Sequence, residues 1–227
     1  MIFAYDPGIH AAALKRDGYV LLKKVFTPEF QEHLKSFLAK SRSGAVAEYT
    51  KGRVAGKKLQ YVFDFASEAD ALEFRAGLSR LTGLKEAYIT LSERHLKQYD
   101  SSAAAFPAPH KDRGASRYSA GIPIDLGPET SVCVFPSLDR SPNTGDTAVY
   151  LSKAEYPELD SIYENGTAKL LREQAGDLVV FDGASLYHER MKPAGTAVLY
   201  IKFNGEGWDP LGENIYSRLP RLQEFAA

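Results

Sequence analysis

The chain has 227 residues, a length that fits one domain with a substantial core, and its 28 Lys and Arg against 29 Asp and Glu leave a net charge of −1. That balance argues against a nucleic-acid or anionic-membrane partner, which needs a basic excess, and the single cysteine, Cys133, excludes an internal disulfide and a Cys-rich zinc site. No apolar run approaches the ~20 residues that span a bilayer, and the opening MIFAYDPGIH lacks the basic and apolar regions of a signal peptide, so a cytoplasmic protein is expected.

The first ~85 residues read as mainly helical. IHAAALKRD is a short helix and GYVLLKKVF, apolar and β-branched, a strand. TPEFQEHLKSFLAKSR is a strong helix, with Thr27 as N-cap, Pro28 at the first helical position and Phe30, Leu34 and Leu38 on one face. SEADALEFRAGLSRLTG is another, capped by Ser67 and stopped by Gly83. From residue 86 the texture changes. Short runs rich in Val, Ile, Tyr and Phe recur between Gly, Pro, Asn and Asp: AYITLSERHLKQYD, RYSAGIPIDL, SVCVFPSL, TAVYLS, TAKLLRE, DLVVFDG and TAVLYIKFN. Close spacing without intervening helices predicts an antiparallel sandwich or barrel over 86–205. One helix is expected at SKAEYPELDSIYEN, and the tail, 206–227, reads as a loop that packs over the barrel mouth as a lid, with Trp208 as lid or plug. No linker composition divides the chain, so 1–227 is read as a single domain, mainly β with flanking helices, in which 1–85 is a support layer on the sheet.

Two of the five histidines fall where a β-rich core would use them. His110 lies in PAPHKDRG just before a strand, and Asp112, two residues on, shares its side of an extended segment. His188 follows DLVVFDG, the most convincing strand. His-x-Asp with a distant His is the ligand set of the two-His-one-carboxylate site, which leaves open positions on Fe(II), and imidazole with carboxylate suits ferrous iron better than structural zinc. The plain alternative is a solvated loop pair, His110 and Asp112, with His188 as a capping residue. His10, His33 and His95 read as structural or solvent-facing, and Cys133 as a small buried apolar residue.

Residues 86–205 resemble the double-stranded β-helix, a jelly-roll or cupin-like core, of the Fe(II)/2-oxoglutarate-dependent oxygenases. LKRDGYVLLKKVFTPEF is similar to the start of the phytanoyl-CoA dioxygenase-like and prolyl-hydroxylase-like branches, NTGDTAVYLS to the Gly-rich entry of the middle strand, and AGDLVVFDGASLYHERMKPAGTAVLYIKFN to the last two strands with the distal His between them. The resemblance implies that His110, Asp112 and His188 are catalytic iron ligands and that 2-oxoglutarate and O2 are co-reactants. It implies a dioxygenase that hydroxylates, desaturates or cyclises a small-molecule substrate, with no nucleic acid and no membrane involved. The triad carboxylate disfavours halogenation, which needs that coordination position for halide.

One departure concerns the cosubstrate. The family places an Arg about ten residues after the distal His, where its fork pairs with the far carboxylate of 2-oxoglutarate. Here MKPAGTAVLYIKFN offers Thr196 at that place and Lys202 as the strand's only cation. Six residues separate the two, roughly 20 Å, so Lys202 lies too deep if Thr196 is near the mouth. Arg117 is the first choice for a displaced anchor, then Lys97, with Tyr99 beside it, and Lys202. Arg190, two residues after His188, can swing in or out. Tyr99, Tyr118 and Tyr187 are candidates to hydrogen-bond a bound acid. Two other readings remain open: an Fe(II) oxygenase that uses O2 without 2-oxoglutarate, and a non-enzymatic β-barrel that binds a ligand in its mouth.

Overall fold

A computed structural model describes residues 1–41 and 57–207. Helix α1 (Ala11–Asp17) follows a 3-10 turn at Pro7–His10 and leads into strand β1 (Tyr19–Leu22). Helix α2 is Pro28–Ser41, strand β2 Lys57–Val62 and helix α3 Glu68–Thr82. The caps are those the sequence predicts. Thr27 Oγ1 accepts from Phe30 N, Ser67 accepts from Asp70 N, and Gly83 closes α3 at φ 75°, a left-handed position that costs a glycine nothing. The rest of the described chain is β-rich: β3 (Thr90–Tyr99), β4 (His110–Lys111), β5 (Tyr118–Asp125), β6 (Ser131–Val134), β7 (Val149–Tyr150), β8 (Lys169–Leu171), β9 (Leu178–Asp182), β10 (His188–Met191) and β11 (Ala197–Asn204).

The strands form two antiparallel sheets. A six-stranded sheet has the order β1-β9-β5-β11-β3-β2, and a five-stranded sheet the order β7-β4-β10-β6-β8. From β3 to β6, and again from β8 to β11, each successive strand changes sheet, so the chain winds around a shared interior as a double-stranded β-helix. The N-terminal region does more than support the barrel from outside, because β1 and β2 are the two edge strands of the larger sheet.

Strand alternation sorts the side chains by face. Leu96, Ala120, Ile122, Val180, Leu199 and Ile201 join Phe30, Leu34, Phe74 and Leu78 of α2 and α3 in the main apolar core on the outer face of the larger sheet. Val132, Val134, Val179 and Phe181 fill part of the space between the sheets. Polar residues of the same strands, His95, Lys97, Tyr200 and Lys202, alternate with the outer-core residues and therefore face the interior. This polar interior is where a site can form. The expected helix over 152–165 is replaced by turns and a 3-10 segment at Leu159–Ser161. Pro157 lies inside that stretch and is incompatible with an uninterrupted helix. No helix among the described residues is long and apolar enough to cross a membrane. Of the tail, residues 208–227, Trp208 among them, lie outside the described residues.

Candidate metal centre

Strand β4 lies between β7 and β10, and its antiparallel register with β10 sets His110 directly opposite His188. Asp112 leaves β4 with its backbone N–H donating to Gly183 O at 2.7 Å, so the loop after β9 holds the carboxylate in place. The ring centroids of His110 and His188 are 4.5 Å apart. His110 Nε2 is 3.7 Å from Asp112 Oδ1, and His188 Nε2 is 3.6 Å from Oδ2. One donor atom from each residue falls within 4.8 Å of the others. Lys111, between the two, turns the other way to pair with Asp139 at 2.8 Å and sits over the Tyr187 ring. This is the alternation that His-x-Asp requires.

Each ligand candidate is oriented by a neighbour. His188 Nδ1 lies 2.9 Å from the Leu186 carbonyl, a contact that fixes Nδ1 as donor and leaves the Nε2 lone pair, on the side that faces Asp112, available to a metal. His110 stacks on Tyr150, with centroids 5.2 Å apart. Asp112 Oδ2 accepts from Ser119 Oγ at 2.7 Å, and Oδ1 accepts from Lys202 Nζ at 2.5 Å. Burial, with help from the neighbouring His188, lowers the His110 pKa to about 3, and burial likewise lowers that of His188. Burial opposes the charge on Asp112, but Lys202 leads the groups that outweigh it, and its pKa falls to about 2. Two neutral imidazoles and an ionised carboxylate are the protonation states a divalent metal needs.

Gly183 is part of the same construction. A Cβ there would lie 2.6 Å from Asp112 Oδ2 and 3.1 Å from Ser119 Oγ, so any side chain displaces the carboxylate. Gly183→Ala is expected to weaken Mn(II) binding about 10- to 100-fold, the loss typical when support of a metal ligand is disturbed. Titration calorimetry of the two proteins measures it, and equal affinities refute the assigned packing.

The three residues open onto a cavity of about 250 Å³, at the small end of ligand pockets. Of the cations expected from the sequence, Lys97 and Lys202 line it, as does Tyr99. Arg117 does not, which corrects the first choice. It caps the 3-10 turn Gly114–Ser116 in helical conformation before β5 begins, and it is exposed over the ring of Tyr118. Tyr118 stacks on Phe203, and Tyr187 packs in the apolar cluster on the outer side of the smaller sheet; neither lines the cavity. The depth argument for Lys202 is also corrected. Thr196 is at the far end, bonded to Gly127 N and adjacent to Tyr99, whereas Lys202 is at the metal end. Lys202 also stands 3.6 Å from Glu93, as does Lys97. Arg190 is the residue that sequence reasoning left undecided. It lines the cavity, on the same face of β10 as His188.

No protein-family model matches the sequence, and no curated protein matches it by sequence. Solved structures do match. A Pseudomonas putida prolyl-4-hydroxylase is 16% identical with a TM-score of 0.56, over 87% of this chain and 98% of that one. The non-heme α-ketoglutarate-dependent carbocyclase SnoK from nogalamycin biosynthesis is 12% identical with a TM-score of 0.60, over 86% and 82%. HygX from Streptomyces hygroscopicus, with nickel, 2-oxoglutarate and hygromycin B bound, is 11% identical with a TM-score of 0.58, over 85% of each chain. What the chain shares with these proteins is the double-stranded β-helix fold of 2-oxoglutarate-dependent oxygenases.

Proposed function

We propose that the protein is a non-haem Fe(II) oxygenase that uses 2-oxoglutarate and O2 to oxidise a C–H bond of a small molecule by hydroxylation, desaturation or cyclisation. The observation that carries this reading is the convergence of His110, Asp112 and His188, each oriented by neighbours and the latter two buried, on one end of a cavity. The donor set fits a ferrous ion: two imidazole nitrogens and one carboxylate, with no thiolate and with open positions left for other ligands. Iron and 2-oxoglutarate, when bound, supply the oxidising chemistry.

The chain's own residues supply orientation and surroundings. His110, Asp112 and His188 hold the metal. Ser119 and Lys202 fix the rotation of the Asp112 carboxylate. Lys97, Tyr99 and Lys202 present positive charge and a hydroxyl to an acid in the cavity. Pro107, Ala108, Ala148 and Tyr150 add apolar wall that limits water around the reacting groups. The cavity volume and the near-zero net charge favour a small molecule over a nucleic acid or a membrane surface. A reducing, cytoplasmic setting belongs to the same reading, since the only thiol, Cys133, is buried and free.

The test is to supply the purified protein with Fe(II), 2-oxoglutarate and air, and to measure succinate. Succinate formation that needs all three is the expected result. An oxidised product formed without succinate favours oxygen chemistry that bypasses 2-oxoglutarate. A protein that consumes no 2-oxoglutarate, and whose melting temperature ignores Fe(II), Mn(II) and Co(II), is a ligand-binding barrel instead.

A further inference from the structure

We propose that Arg190, reaching in from β10, receives the far carboxylate of 2-oxoglutarate, so that the anchor has moved from the last strand to the strand that carries His188. The inference rests on the 2-oxoglutarate reading above. Its grounds are the depth, the donor inventory and the commitments of the rival cations.

Depth comes from register. On β10, His188 pairs with Val134 and Arg190 with Val132, so the two side chains share the interior face, with Arg190 one step further from the metal end. One such step is roughly 6.6 Å along a strand, a distance suited to a five-carbon diacid whose other end meets the metal. On β11, Tyr200 reaches the same level and its hydroxyl accepts from Arg190 Nε at 2.6 Å.

The donor inventory leaves N–H groups free. A guanidinium has five N–H groups. Nε uses its one on Tyr200, Nη1 uses one on Thr130 Oγ1 at 3.5 Å, and Nη2 uses one on Glu173 Oε1. One N–H remains on each terminal nitrogen, which leaves the guanidinium donors for a carboxylate after its three protein partners are counted. The side chain lines the cavity while only 4% exposed, and Glu173 is fully buried. Glu173 in turn accepts from Val132 N at 3.3 Å, so the fork is held rigidly before any ligand arrives.

The rival cations are committed to carboxylates of the chain, Lys202 at the metal end. Lys202 holds Asp112 and Glu93, and Lys97 also stands against Glu93. Thr196, in the place where the resemblance expects an Arg, is fully buried and bonded to the Gly127 backbone.

The experiment compares 2-oxoglutarate with 2-oxovalerate, which keeps the keto acid and replaces the far carboxylate by a methyl group. Dissociation constants are measured on the full chain loaded with Mn(II), by calorimetry and without turnover. Wild-type protein is expected to prefer 2-oxoglutarate by about 10- to 100-fold, the range of a charged, paired hydrogen bond. Arg190→Met combined with Glu173→Gln removes the buried pair together, which avoids stranding one charge. In that protein the preference is expected to collapse to about two-fold or less, with affinity for 2-oxovalerate and Mn(II) retained. Arg190→Lys, which keeps Glu173 paired but lacks the fork, should lose about ten-fold of the preference, and it decides the matter if the double variant does not fold. The inference is overturned if either Arg190 variant keeps the full preference, or if Lys97→Met or Lys202→Met abolishes it instead. Wild-type protein that binds neither acid in a Mn(II)-dependent way overturns the 2-oxoglutarate reading itself, whereas metal-dependent binding of both acids with equal affinity removes only the anchor.

Discussion

Asp112→Ala is expected to abolish Fe(II)-dependent turnover and to erase the thermal stabilisation that Mn(II) gives the wild-type protein. Asp112 is the only anionic member of the ligand set, and each of its oxygens stands within 3.7 Å of one imidazole nitrogen. Removing it leaves two neutral nitrogens facing a dication, with Lys202, formerly 2.5 Å from the carboxylate, adding repulsion. A metal at 100 times its dissociation constant stabilises the folded state by about 2.7 kcal/mol. For a chain of this size that corresponds to a rise of roughly 5–11 °C in melting temperature, and Asp112→Ala should show none of it. Asp112→Asn is the companion variant, because it preserves the shape of the side chain and a partner for Ser119. If the Ala variant is folded and still turns over, or still responds to Mn(II) with a shift of that size, the triad is not the metal centre.

The metal end of the cavity was legible in the sequence because its logic is local. His-x-Asp works through the two-residue alternation of an extended segment, and His188 is tied to the end of an unmistakable strand. The strands were legible for the same reason, since β-branched and aromatic runs between turn residues need no tertiary information. The other end of the cavity depends on which strands become neighbours. Glu173, Thr130 and Tyr200 meet Arg190 across separations of 17, 60 and 10 residues, and nothing near Arg190 announces the first two. Its direction was nevertheless implicit: in the strand His188–Met191, a residue two after an inward His is inward as well. Glu189, between them, takes the opposite face, where it accepts from Tyr163. Arg117 misled because RYSAGIPIDL reads as a strand from its first residue. A 3-10 turn ends there, and the single residue of offset sends the side chain to solvent. The helix expected over 152–165 failed at Pro157, a local signal outweighed by the surrounding helix formers.

Glu173→Ala should destabilise the fold by about 3–5 kcal/mol, the cost of leaving a buried charge without its partner. Glu173 follows β8, is fully buried, and faces a guanidinium that is only 4% exposed. Burial alone would drive the Arg190 charge down, and Glu173 leads the groups that outweigh it, but a guanidinium stays protonated in proteins even without such help. Truncation therefore cannot be relieved by deprotonation. The expected fall in melting temperature is roughly 6–20 °C. The Arg190→Met/Glu173→Gln protein should recover most of it, because a buried pair replaced as a unit by uncharged side chains of similar volume is often close to neutral. The strong non-additivity in that cycle is the measurement that separates a structural ion pair from two independent packing residues. A Glu173→Ala protein that melts within about 2 °C of wild type corresponds to less than ~1 kcal/mol and would mean that Arg190 finds another acceptor. It would also remove the reason for regarding its fork as held in advance. If the large loss appears and the double variant reverses it, the pair contributes rigidity at the floor of the cavity and little net stability. That is the arrangement expected of a cation held in place for a ligand.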